Sequence, residues 1–159
     1  MIKIGSFPEV VNENSARLVA FFVLILSVST IYFQNIYLIV CLAFGFFLRV
    51  LYGPSYEPIA VIVTKFIVPK FNIQNIPTPG PPKRFAQTIG FLFSFTGLVF
   101  FLSSEIFYFQ VTLGILSFFA FLESVLGFCA GCFVFSYLMK WGFIPKEICE
   151  RCNNIQYKK

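Results

Sequence analysis

Apolar positions along the chain fall into four long runs, and the short polar breaks between them set the architecture. The first run, about 16–33, follows Asn14 or Ser15 as a helix cap and carries Arg17 at its polar edge. Gln34-Asn35 leaves room only for a tight turn before the second run, about 36–51. Arg49 sits near the end of that run, where its guanidinium can reach lipid headgroups while its stem stays in hydrocarbon. The two runs predict an antiparallel helical hairpin. A third run, about 84–106, begins at Lys83-Arg84 and leaves through Ser103-Ser104-Glu105. The fourth, about 109–139, closes at Lys140-Trp141-Gly142. It is long for one crossing, since about twenty residues suffice, so it is expected to tilt, kink or extend past the bilayer.

Between the second and third runs lies a different pattern. Tyr52-Gly-Pro-Ser-Tyr-Glu-Pro58 is turn-rich. The apolar stretch after it is too short to cross and holds Lys65, which predicts an interfacial helix at about 58–68. Pro77, Pro79, Pro81 and Pro82 make residues 71–82 extended rather than helical. The fold class is therefore an all-α membrane protein with four transmembrane helices. Residues 1–140 form its domain, and 141–159 form a short polar tail.

Composition supports a bilayer as the solvent. The 159 residues are 58% hydrophobic and 12% charged, with 24 Phe, a mean hydropathy of +0.83 and a net charge of +5. A soluble domain carries about 25% charged residues. The N-terminal stretch lacks the basic lead and cleavage site of a signal peptide, so the first run is expected to be retained as a span. With four spans, every Lys and Arg falls on the side shared by the N-terminus, the central loop and the tail. That side is then cytoplasmic, in a bacterial inner membrane. The positive charge meets anionic lipid; no nucleic-acid partner is expected.

Histidine is absent, which removes the commonest general base and metal ligand. Catalytic candidates narrow to Cys, Glu, Lys, Arg and Tyr, and zinc ligation to cysteine with or without carboxylate. Four cysteines stand out: Cys129 and Cys132 in an apolar setting, and Cys149 and Cys152 in the wet tail. Their spacing fits an all-cysteine zinc site that pins the tail to the bundle. It equally suits a thiol redox or sulfur relay. A reactive Cys-x-x-Cys places its first sulfur at a helix N-terminus, whereas Cys129 reads as mid-helix and inert unless Gly127 and Gly131 break the helix there. Gly127 to Gly131 also reads as a small-residue packing seam, with Cys129 as filler, and Cys41 reads as filler too.

Glu123 falls near the middle of the fourth run, where a carboxylate is costly and suggests a substrate or ion path. On an unbroken helix it lies opposite Cys132, apart from the cysteine site, and faces Arg49, Arg84 or Gln87 across the bundle. Lys83, Arg84 and Gln87 at the third helix's N-terminus suit an anion or an ordinary positive anchor.

Three stretches occur in order: Arg49-Val-Leu-Tyr-Gly-Pro-Ser-Tyr-Glu-Pro58, Gly80-Pro-Pro-Lys-Arg-Phe-Ala-Gln87 and Leu122-Glu-Ser-Val-Leu-Gly-Phe-Cys-Ala-Gly-Cys132. Together they resemble a bacterial family of small four-span membrane proteins known as domain of unknown function 4395. The resemblance brings no established activity. It implies that Arg49, Arg84, Gln87, Cys129 and Cys132 belong to a shared pattern, and it associates the chain with thioredoxin-like and sulfurtransferase partners. The expectation is a thiol-active membrane protein that needs no cofactor. The alternatives are a structural zinc site and a carrier for a small sulfur species or anion, lined by Glu123, Arg84 and the cysteines and helped by homo-oligomerisation.

Overall fold

Asn12 ends a strand and starts a helix. The structure, a computed structural model, describes residues 10–142. Strand β1 (Val10–Asn12) pairs antiparallel with β2 (Pro77–Pro79), Val11 opposite Thr78. Asn12 then caps α1 (Glu13–Phe33) by accepting the Asn14 N–H at 3.1 Å. The proline-rich stretch is extended at Pro77–Pro79, as the sequence predicts. The helix after it begins earlier than expected: α5 (Gly80–Leu102) takes Pro81 and Pro82 into its first turn. Proline fits there because first-turn N–H groups have no intrahelical acceptor to lose.

The hairpin between the first two helices matches the sequence. Gln34 turns the chain with a left-handed backbone (φ 47), and Asn35 caps α2 (Ile36–Tyr52) by accepting the Tyr37 N–H at 2.8 Å. The helix predicted at about 58–68 is present as α3 (Pro58–Ile62), one π turn (Val63–Ile67) and α4 (Val68–Lys70). Its Ala60 and Val63 are fully buried, while Ile62, Lys65 and Phe66 point outward.

Side-chain contacts fix the direction and register of the long helices. Ser27 Oγ and Ser117 Oγ lie 2.8 Å apart, and Arg17 hydrogen-bonds the Val125 carbonyl, so α1 runs antiparallel to the chain between residues 106 and 126. The Phe101 ring packs on Phe109, and Lys83 reaches Glu123, so α5 runs antiparallel to that same stretch. Phe47 stacks on Phe91, while Ile39 approaches Gly97, which sets α2 against α5. Arg17, Arg49, Lys83 and Glu123 thus gather at one end of the bundle. The turns at 34–35 and 103–105 form the other end.

Burial is inverted relative to a water-soluble protein. Ser27, Thr30 and Ser94 are fully buried, their hydroxyls donating to carbonyls three or four residues back. Large apolar side chains such as Phe21, Phe44, Phe95 and Phe118 face outward. Small polar residues inside and phenylalanine outside suit a hydrocarbon solvent, where helices approach through small residues. Glu13–Phe33, Gly80–Leu102 and Ile106–Leu126 are long and apolar enough to cross a membrane, and α2 and the helix Ala130–Lys140 are apolar but shorter.

The expected single helix at 109–139 is not formed. Helix α6 (Ile106–Phe121) runs into a π turn (Leu122–Leu126) and stops at Gly127, whose φ is +67. A new helix, α7 (Ala130–Lys140), begins three residues later. Left-handed φ is inexpensive for glycine and not for most other residues, and the break sits at a glycine.

Candidate functional site

The break turns the middle of an apolar run into a helix start, and Cys129 occupies the capping position. Its backbone is extended (φ −93, ψ 102), and its Sγ accepts the Cys132 N–H at 3.4 Å. Both are free, half-buried thiols. The first N–H groups of a helix have no carbonyl partners, and they stabilise negative charge on a group placed among them. This is the position a reactive Cys-x-x-Cys requires.

Three contacts hold the break. Arg17 donates to the Val125 carbonyl at 3.2 Å, placing a cation at the carboxyl end of the helix that stops there. A Cβ on Gly127 would lie 2.9 Å from that guanidinium, so space as well as backbone selects glycine. Gly131 lies against α5, where a Cβ would come within 2.5 Å of the Ala86 backbone. The Phe135 ring, nearly buried, packs on Phe85 with centroids 5.6 Å apart. The small-residue seam read from the sequence therefore exists at Gly131, and it fixes the helix that carries the thiols.

Glu123 is not in mid-span. The helix carrying it ends at Leu126, so Glu123 lies in the last turn, within the π turn before the break. Its partner is Lys83, whose Nζ lies 2.8 Å from Oε1, rather than Arg49, Arg84 or Gln87. Lys83 is 5% exposed, so its ammonium has left solvent and the carboxylate compensates it. Because the helix does not continue, the separation of Glu123 from the cysteines expected on an ideal helix does not apply. Glu123, Lys83 and Cys129 border one cavity of about 450 Å³.

Arg49 and Gln87 line the same cavity, whereas Arg84 and Cys132 do not. Arg49 is 4% exposed and pairs with Glu57 at 3.0 Å. Glu57 also accepts the Ala60 N–H at 2.5 Å, which caps α3. In the sequence Glu57 falls within a turn-rich stretch. The signal was there: an acid directly before a proline is a helix-start pattern. The rest of the cavity wall is apolar and includes Val23, Phe46 and Leu116.

Cys149 and Cys152, expected as a second thiol pair or as half of a zinc site, lie outside the described residues. Among the described residues, no three Cys, Asp or Glu side chains gather into a metal-ligating group.

Fold and site together define an apolar helical protein of membrane type, with a dithiol at a helix start beside a closed ion pair. The chain belongs to the family described as Domain of unknown function (DUF4395), which matches residues 11–140. No curated protein and no solved structure matches it.

Proposed function

We propose that the protein is a membrane-embedded thiol–disulfide exchange protein acting through Cys129 and Cys132. The observation that carries this reading is Cys129 at the cap of α7 with the Cys132 N–H on its sulfur. In the exchange, Cys129 Sγ attacks a partner disulfide, forming a mixed disulfide and releasing one partner thiolate. Cys132 Sγ then attacks Cys129 Sγ, and the bond between Cys129 and the partner breaks. The partner leaves with both sulfurs reduced, two electrons having come from the pair. Run backwards, the same steps reduce Cys129–Cys132.

In this reading α1, α2, α5 and the stretch 106–126 are four spans of a bacterial inner membrane. At 1.5 Å per residue α2 is about 25 Å long, enough for a slightly thinned bilayer. The end bearing Arg17, Arg49 and Lys83 is cytoplasmic, as are both termini, and the segment 58–70 lies in the interface with Ile62 and Phe66 toward lipid. The partner is a soluble thioredoxin-like or sulfurtransferase protein that reaches Cys129 from the cytoplasm.

The test is a trapping assay in lipid nanodiscs. Cys132→Ser, incubated with an oxidised thioredoxin, is expected to accumulate a mixed disulfide through Cys129, and Cys129→Ser is expected to accumulate none. If neither variant captures the partner, the exchange reading fails. A stoichiometric zinc content lost on mutating any of the four cysteines would replace it with the structural site.

A further inference from the structure

The cavity beside Cys129 carries polar groups that the fold itself leaves unused. Arg49 Nε and Gln87 Oε1 are both buried, and among the described residues neither has a hydrogen-bond partner. Both residues line the cavity. Burying an unpaired donor or acceptor is costly, so two on residues that line one cavity point to a ligand that satisfies them. Arg49 is held by Glu57 at 3.0 Å, and Lys83 by Glu123 at 2.8 Å. Each cation near the cavity already has its carboxylate, so the site offers hydrogen bonds without net charge. That disfavours an anion and favours a neutral molecule. Val23, Phe46 and Leu116 require most of that molecule to be apolar. A volume of about 450 Å³ holds one substituted ring and a short tail.

We infer that this cavity binds a quinone, which oxidises the Cys129–Cys132 pair. A quinone is neutral, lipid-soluble and flat, with oxygens that accept from Arg49 Nε and, once reduced, donate to Gln87 Oε1. It also takes up two electrons and two protons, as many as a dithiol gives in forming a disulfide. Cys129, the thiol on the cavity wall, adds to a ring carbon, and its proton goes to a ring oxygen. Cys132 Sγ then attacks Cys129 Sγ. The sulfur–sulfur bond forms, the carbon–sulfur pair returns to the ring, and the Cys132 proton goes to the second oxygen. The products are one disulfide and one quinol. The inference rests on the exchange reading, with the soluble partner as the source of electrons.

The test uses the full chain in nanodiscs and a ubiquinone with one isoprene unit. Binding is measured by equilibrium dialysis on the unreactive Cys129→Ser/Cys132→Ser protein. Saturable binding of one equivalent is expected, weakened roughly five- to tenfold by Gln87→Leu, the effect of one lost hydrogen bond. Gln87 Oε1 has no partner among the described residues, so this variant removes no described contact of that oxygen. In a second arm, pre-reduced wild type is mixed with the quinone and the loss of quinone absorbance is followed. One quinol per protein is expected, appearing together with the disulfide. Binding no greater than partition into empty nanodiscs, equal binding by Gln87→Leu, or no quinol overturns the inference. If the pair exchanges with oxidised thioredoxin while no quinol forms, only the quinone role falls. If quinol forms while no mixed disulfide is ever trapped, only the soluble partner falls.

Discussion

Glu57→Gln isolates the electrostatic anchor of the site. The substitution keeps the size of the side chain and an oxygen able to accept the Ala60 N–H, so the cap of α3 is retained. It removes the charge that faces Arg49 at 3.0 Å, in a pair whose side chains are 5% and 2% exposed. The guanidinium remains buried with no counter-ion. Its face over the Phe46 ring, 5.2 Å from the centroid, compensates only in part. Breaking a buried pair from one side costs about 3–5 kcal/mol. At 2–4 °C per kcal/mol for a chain of this size, Tm is expected to fall by roughly 6–20 °C. The assay is thermal unfolding in detergent, followed by the loss of the monodisperse chromatographic peak. The double variant Arg49→Met/Glu57→Gln removes both charges and is expected to recover much of the loss, because no lone charge remains inside. A Tm for Glu57→Gln within about 2 °C of wild type would show that the pair is not desolvated. A double variant less stable than both single ones would refute the reasoning from the other direction.

Two further substitutions address the break that presents the thiols. Gly127→Ala places a side chain on a left-handed residue and against Arg17, so it is expected to destabilise by about 1–2 kcal/mol and to slow alkylation of Cys129 several-fold as the cap deforms. Unchanged alkylation kinetics would show that the cap geometry does not govern reactivity. Gly131→Val forces α7 away from Ala86 and is expected to raise maleimide labelling of Cys132, with exposed Cys41 as an internal reference that does not change. Equal labelling in wild type and variant would mean that the seam does not bury the thiols.

Much of the architecture is written in local pattern. Gln34-Asn35 between two apolar runs predicts the hairpin, because so short a polar break leaves room only for a tight turn and Asn caps the second helix. The prolines before Lys83 predict an extended entry, although periodicity could not show that two of them belong to the helix itself. Gly127 and Gly131 flagged a break beside Cys129, but an apolar run reads the same whether or not it bends. Composition follows solvent, and both arms of the break are apolar. The ion pairs were beyond reach for a different reason. Lys83–Glu123 depends on the antiparallel register of two helices and on the second one stopping at Leu126. Arg49–Glu57 depends on a turn folding back under the bundle. Neither relation is a local property of the sequence. The shared cavity was illegible for the same reason, since it depends on the chain breaking between Glu123 and Cys129.

The most direct measurement is peptide mass mapping of the nanodisc-embedded protein after brief exposure to oxidised thioredoxin, with free thiols blocked first by a light and then, after reduction, by a heavy alkylating agent. The account predicts that Cys129 and Cys132 both carry the heavy label, as one intramolecular disulfide, while Cys41 carries the light one. Light label on all three, with the partner still oxidised, would contradict it.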